Sequence, residues 1–140
     1  MSWYYNGEIF TSEMIGDHVG FIYIITDKET GLKYIGKKQL LSKRKLPPLK
    51  GKKRRRTKIV ESDWEKYYSS SELIKELVEE HGGDRFHREI IRLCKTKGEM
   101  SYYEAKEQFD REVLFKPDEW MNGIIQCRIH RNHLLTKKDK

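Results

Sequence analysis

Residues 19–26 read VGFIYIIT and residues 33–41 read KYIGKKQLL, and these two stretches decide the fold. The first is almost entirely β-branched and aromatic, the composition of a strand packed in a sheet. Residues 27–32 (DKETGL) are turn-formers that include Gly31, and the second stretch again reads as a strand. The spacing predicts a β-hairpin, with a loop somewhat longer than the tightest turns, carrying Tyr23 on one strand and Tyr34 on the other.

Working outward, Leu73, Ile74, Leu77 and Val78 recur at helical spacing within residues 69–81. Ser69 with Glu72 fits a capping box, and Gly82 suits a C-terminal stop. Glu72, Glu76, Glu79 and Glu80 give that helix an acidic outer face. Residues 86–94 (FHREIIRLC) end in an apolar run and read as a third strand packing against the hairpin. A second helix is expected from Lys97 to Leu114, capped at Thr96, with Tyr102, Ala105, Phe109 and Val113 along one face. After Pro117, residues 121–130 read as a loop and a short strand. The fold class is α+β: a small three-stranded antiparallel sheet flanked by helices.

The chain has 140 residues, the size of one ordinary domain, and a net charge of +7 that is unevenly placed. Lys43, Arg44, Lys45, Lys50, Lys52, Lys53, Arg54, Arg55, Arg56 and Lys58 fall in one stretch without an acidic residue. That block carries +10 and the rest of the chain −3. Such a block repels itself until a polyanion neutralises it, and lysine or arginine on phosphate releases counterions, so nucleic acid is the expected partner. A solvated basic loop or a localisation-like signal is the plainer alternative. Pro47, Pro48 and Gly51 break regular structure, so the block is expected as an inserted surface loop. The chain then divides into an N-terminal extension (1–18), a domain (19–123) with its basic loop (43–58), and a C-terminal extension (124–140).

No stretch approaches the roughly 18 apolar residues of a membrane span, and the N-terminus lacks a secretory pattern. Cys94 and Cys127 are too few for a disulfide framework. A soluble cytoplasmic protein with no membrane partner is expected. Cys127, His130 and His133, with Cys94, have the ligand types of a zinc site but not a familiar finger spacing.

Phe21-Ile22-Tyr23, followed about ten residues later by Tyr34-Ile35-Gly36, resembles the paired GIY and YIG strands of the GIY-YIG nucleases, the first motif reading FIY here. The order hairpin, helix, strand, helix is also what this resemblance implies. It further implies a site built from the two tyrosines, an arginine after the YIG strand and a glutamate on a later helix. Carried over, these are Tyr23, Tyr34, Arg44 and either Glu104 or Glu107, with Glu104 preferred. Pro47 and Pro48 interrupt the helix that carries the arginine in the family, which leaves Arg54, Arg55 and Arg56 as rivals to Arg44. Ser101 with Glu104 also reads as a capping box. By the same resemblance Tyr68 matches a histidine or tyrosine near the scissile phosphate, and Asn122 an asparagine late in the domain.

The implied chemistry accounts for these residue types. Phosphodiester hydrolysis needs an activated water, a cation against the phosphate charge and help for the leaving oxygen. A glutamate is a hard oxygen ligand for Mg²⁺ or Mn²⁺, a tyrosine hydroxyl can take or orient a proton, and a forked guanidinium suits phosphate. The plain alternative for each tyrosine is a ring in the core, and for each glutamate a solvated helix carboxylate. The expected activity is metal-dependent endonucleolytic cleavage of double-stranded DNA, in a phage or homing-like setting. The basic block would contact backbone, and a homodimer or two visits would be needed to cut both strands. A structure-selective nuclease for branched DNA and a non-catalytic nucleic-acid-binding protein are the rivals.

Overall fold

The computed structural model describes residues 2–135. In chain order the elements are β1 (Trp3–Tyr5), β2 (Glu8–Ile9), β3 (Gly20–Asp27), β4 (Lys33–Gln39), β5 (Leu41–Leu46), β6 (Arg56–Glu61), α1 (Glu72–His81), β7 (Phe86–Cys94) and α2 (Lys97–Asp110). One sheet has the strand order β2-β1-β7-β3-β4, and β5 and β6 form a separate two-stranded ribbon. β1 runs parallel to β7; the other pairings in the sheet are antiparallel.

β3 lies between β7 and β4 with both faces covered, which is why its sequence is a nearly continuous apolar run rather than an alternation. Phe21, Tyr23 and Ile25 point to one face, where Trp3, Phe10, Trp64 and Ile74 of α1 complete a core. Ile22 and Ile24 point to the other, against Ile35, Met100 of α2, Val113 and Trp120. Trp3 fixes the first layer: its ring lies edge-on to Phe21 and Tyr23 at 4.9 and 5.4 Å between centroids, and its Nε1 donates to the Trp64 carbonyl at 2.8 Å. Truncating so buried a ring costs about 3–5 kcal/mol. The β3–β7 register shifts between Ile22 and Tyr23, a bulge immediately before the first motif tyrosine.

The hairpin, the Phe86–Cys94 strand and the starts of both helices stand near where the sequence pattern puts them, and several expectations are corrected. The sheet has five strands, not three: Trp3–Tyr5 and Glu8–Ile9 are too short to leave a periodic signature and gain their place by pairing on β7. The basic block is not an open loop, since β5 and β6 pair from Leu41 opposite Glu61 to Leu46 opposite Arg56. Pro47 and Pro48 lie beyond the ladder, where no strand hydrogen bond is forfeited. α1 is capped by Ser71, whose Oγ accepts from the Ile74 N–H at 3.5 Å, and not by Ser69. Residues 121–130 form no strand; an isolated bridge joins Lys33 to Trp120 just before them.

α2 starts after its Thr96 cap, as expected, but ends at Asp110. Its buried positions are Met100, Ala105 and Gln108, while Tyr102 and Phe109 are exposed. The start at Lys97 puts Ser101 inside the helix, which removes the capping-box reading of Ser101 with Glu104. Among the described residues no helix is long and apolar enough to cross a membrane. Residues 136–140 of the expected C-terminal extension, and residue 1 of the N-terminal one, lie outside the described residues.

Candidate active site

The β3–β4 register sets Tyr23 directly opposite Gly36, and Tyr34, two residues earlier on β4, shares its face. The Tyr23 ring lies across the glycine. A Cβ at Gly36 would stand 2.3 Å from the Tyr23 hydroxyl oxygen and 2.5 Å from Cζ, so only a residue without a side chain admits the ring. The two tyrosine rings are 6.4 Å apart. The Tyr34 hydroxyl is 3.4 Å from Ser70 Oγ.

Tyr67 closes the other side. It meets Tyr23 edge-on at 5.9 Å between centroids, and the Tyr23 hydroxyl donates to its hydroxyl at 3.5 Å. Burial pushes the Tyr23 pKa well above the usual tyrosine value, Tyr67 adds to the rise, and a hydrogen bond from Ser69 opposes it. At neutral pH Tyr23 is therefore an uncharged phenol. Ser69 is buried at φ 136°, a conformation unusual for a residue with a side chain, and its Oγ accepts from the Ser71 N–H at 2.9 Å. Lys38 Nζ sits 4.4 Å over the Tyr67 ring and pairs with Asp63 at 2.7 Å.

Behind this cluster Arg88 is buried, with its guanidinium against Trp3 at 4.9 Å and Tyr68 at 4.2 Å. Its Nη1 donates to the carbonyls of Glu65 and Tyr67 at 2.9 and 2.8 Å, which fixes the segment presenting Tyr67. Desolvation lowers the Arg88 pKa from the usual arginine value.

The second half of the site lies along the outer edge of β4, the strand that ends the sheet. Lys33 exchanges backbone hydrogen bonds with Glu119 and Met121. Ile35 is served by a side chain: Asn122 Oδ1 accepts from its N–H at 3.0 Å and Nδ2 donates to its carbonyl at 2.8 Å. Gln108 Nε2 reaches the same carbonyl at 3.4 Å, and its buried Oε1 has no donor among the described residues. By strand alternation Lys37 is the next residue to face outward, and there stands Glu104, one helical turn before Gln108. Burial raises the Glu104 pKa, and the Lys37 charge and backbone N–H pull it partly back. No cation lies within ion-pair distance of Glu104 among the described residues, whereas Glu107 is bound by Arg111 and, at 3.8 Å, by Arg92. The Tyr23 hydroxyl thus lies over Gly36 on one face of the hairpin, while the next residue, Lys37, acts on the Glu104 carboxyl through its charge and backbone N–H. Lys38 lies beside the tyrosines, and Lys37, whose Nζ donates to Ser101 Oγ at 3.0 Å, beside the glutamate.

The structure brings Tyr23, Tyr34, Glu104 and Asn122 to this edge and takes other expected residues elsewhere. Arg44 is exposed on β5 opposite Lys58, with no hydrogen bond or ion pair to the tyrosines or Glu104. Tyr68 stacks on Arg88, and its neighbour Tyr67 is the one that meets Tyr23. Cys127 donates to the Ser101 carbonyl and His130 and His133 pack together, but no three metal-ligating side chains converge among the described residues. Tyr67, Arg88, Lys37 and Lys38 carried no signal as site residues. Only the direct succession of the two lysines to Gly36 could have drawn attention to them.

A tyrosine hairpin with a carboxylate on the helix across its edge is the arrangement that the resemblance to the GIY-YIG nucleases implies. Residues 3–125 match the family model described as "Putative endonuclease segE, GIY-YIG domain". That span takes in the whole five-stranded sheet, both helices and Asn122, and the chain belongs to the GIY-YIG nuclease family. It is a nuclease, hence a hydrolase, with DNA the implied substrate, and nucleases of this family are generally metal-dependent. No curated protein and no solved structure matches the chain.

Proposed function

We propose that the protein is a metal-dependent endonuclease that hydrolyses phosphodiester bonds in double-stranded DNA. The observation that carries this reading is the meeting, at adjacent residues of β4, of the Tyr23 hydroxyl over Gly36 and the half-buried Glu104 carboxyl influenced by Lys37. Glu104 fits a hard divalent cation: it is a half-buried carboxylate with no ion-pair partner among the described residues, and burial, which raises its pKa, leaves its charge poorly solvated. Bound there, Mg²⁺ or Mn²⁺ would lower the pKa of a coordinated water and offset charge on the phosphate.

The protein's own residues supply the rest. Tyr23 enters as a neutral phenol, so its role is to orient the attacking water through its hydroxyl, which Tyr67 and Ser69 hold in place, and not to take the water's proton. Tyr34, less buried, presents its hydroxyl beside Ser70 on the same face, within reach of a phosphate laid along the edge. Lys37 and Lys38 bracket that edge and oppose the charge that grows on the phosphate. Asn122 keeps β4 in place by occupying both backbone groups of Ile35. Arg44 and the other cations of β5 and β6 are placed to contact DNA away from the scissile bond. A phage or homing-like enzyme working in the cytoplasm is the setting we favour, with the two strands cut in separate visits or by a homodimer.

The test is cleavage of supercoiled plasmid, linear duplex and branched duplex by purified protein in Mg²⁺ or EDTA. Nicking should require the metal and fall at least about a hundredfold in Glu104→Gln and Tyr23→Phe, while Glu107→Gln keeps most of it. Binding without cleavage on every substrate would replace this reading with a DNA-binding protein. Cleavage confined to branched substrates would make the enzyme structure-selective.

A further inference from the structure

The cations after Leu41 are mounted on a ribbon whose shape says how they meet DNA. Opposed residues in an antiparallel pair share a face. One face of the ribbon therefore presents Arg44 with Lys58, and the other Lys43 with Ile59 and Lys45 with Thr57. All of these are exposed, and neither strand joins the five-stranded sheet. Arg44 and Lys58 are like charges directly across the pair, and no acidic residue lies between Lys43 and Val60 to offset them. Ile59 is 63 % exposed among these cations, an apolar side chain that the fold itself does not use.

The ribbon is rooted on the site. The N–H groups of Leu40 and Leu41 donate to the Val19 carbonyl, and that of Ser62 donates to the Leu40 carbonyl at 2.8 Å, so both strands leave from the end of β4. The tip is a defined turn, closed by the Lys52 N–H on the Leu49 carbonyl at 2.8 Å with Gly51 at φ +81°. A pair of strands about 5 Å apart with side chains on both faces is roughly 10 Å thick. The major groove of B-DNA, about 12 Å wide, admits it without deformation, whereas the minor groove, about 6 Å wide, would have to be opened. Six residues per strand rise about 20 Å, close to six base pairs at about 3.4 Å each.

We propose that the β5–β6 ribbon is an arm that enters the major groove of duplex DNA on one side of the cleaved phosphate and reads base edges there. Arg44 and Arg56 are suited to the O6 and N7 acceptors of guanine, and Ile59 and Thr57 to the methyl group of thymine. Lysines on both faces hold the flanking backbones. This rests on the DNA endonuclease reading above and adds a source of sequence preference to it.

The experiment measures binding in EDTA, by fluorescence anisotropy, to a 30-base-pair DNA duplex and to an RNA duplex of the same sequence. Wild type is compared with a variant in which residues 43–59 are replaced by Asn-Gly, a two-residue turn joining Ser42 to Val60. The variant should keep its thermal midpoint, lose at least tenfold in affinity and show a salt slope shallower by about 3 or more, since each lost phosphate contact removes about 0.9. Wild type should be displaced by the major-groove ligand methyl green and not by the minor-groove ligand netropsin. It should bind the RNA duplex at least tenfold more weakly, because the A-form major groove is too narrow to enter.

Displacement by netropsin alone, equal affinity for duplex RNA, or an unchanged salt slope in a folded variant would each overturn the arm. Plasmid cleavage by wild type is scored separately. An enzyme that cuts DNA while the variant binds as wild type refutes the arm alone. A protein that neither binds nor cuts DNA refutes the endonuclease reading with it.

Discussion

Replacing Gly36 with alanine tests the feature on which the site turns. The added Cβ would lie 2.3 Å from the Tyr23 hydroxyl oxygen and 2.5 Å from Cζ, where ordinary contacts begin at 3.4 Å, so ring and strand must part by about 1 Å. Neither yields easily: Tyr23 is fully buried between Trp3, Tyr34 and Tyr67, and β4 is held by its ladder to β3 and by Asn122. Overpacking of this kind costs about 1–3 kcal/mol, which for a domain of this size lowers the thermal midpoint by roughly 3–12 °C. A shift of about 1 Å in a reacting group costs on the order of a hundredfold in rate, so plasmid nicking should fall by that factor even in protein that remains folded. The decisive measurement is a double-mutant cycle by urea denaturation with Tyr23→Leu, which removes the ring. In that background Gly36→Ala should cost nothing, or stabilise slightly through reduced backbone entropy, giving a coupling of at least about 1 kcal/mol. An equal cost in both backgrounds would show that the penalty comes from the β4 backbone, and the account of why glycine stands opposite Tyr23 would be wrong.

Three further outcomes are expected. The Arg85 guanidinium, bonded to both Asp27 oxygens at 2.8 Å, holds that carboxyl at about 2 against its usual 3.8. A depressed pKa means stability present above pH 4 and lost as pH falls through 2, so wild type should exceed Asp27→Asn by about 2 kcal/mol at neutral pH and converge with it near pH 2; thermal midpoints that stay parallel from pH 7 to 2 would exclude this. Asn122→Ala strips the partner from the N–H of buried Ile35 and leaves its carbonyl only the longer Gln108 bond, and should lower stability by about 1–3 kcal/mol in urea without a change in m, a loss below about 0.5 kcal/mol counting against the clamp. On the proposed function Glu104 acts ionised, and Lys37 lowers its pKa, so Lys37→Met should move the acid limb of the cleavage profile to higher pH; a limb that stays put or moves down would separate Lys37 from Glu104.

What could be read from the chain follows the physics of each signal. The hairpin was legible because β3 is covered on both faces and must be apolar throughout, and the helix starts because Thr96 and the serines before Glu72 are side chains that cap. β1 was not, since three residues carry no period and their placement depends on Trp3 finding a cavity made by residues 61 positions away. The ribbon was missed for a related reason: strand pairing there is driven by neighbouring backbones, with few apolar side chains to announce it, and the prolines that argued against it sit at its tip. On α2 the apolar residues misled. Tyr102 and Phe109 suggested the inner face, but the helix turns Glu104 and Gln108 toward β4, so the stripe facing the sheet edge is polar.

That polarity follows from what an edge strand needs. An unpaired strand edge exposes a row of N–H and C=O groups, which invites pairing with other chains unless something occupies them. Along β4 the neighbours change in character: backbone bonded to Lys33, an uncharged amide bonded to Ile35, and near Lys37 a carboxyl whose pKa the Lys37 charge and N–H pull down. A carboxylate has more acceptor sites than one N–H can fill, so Glu104 can guard the edge and still offer oxygen to a cation, which the Asn122 amide, with both of its groups spent on Ile35, cannot. On the proposed function, the position nearest Gly36 is therefore where shielding the sheet and holding a cation would ask for the same side chain. Because this demand comes from the strand and not from the helix, Glu104 and Glu107 look equivalent in sequence, and only the sheet distinguishes them.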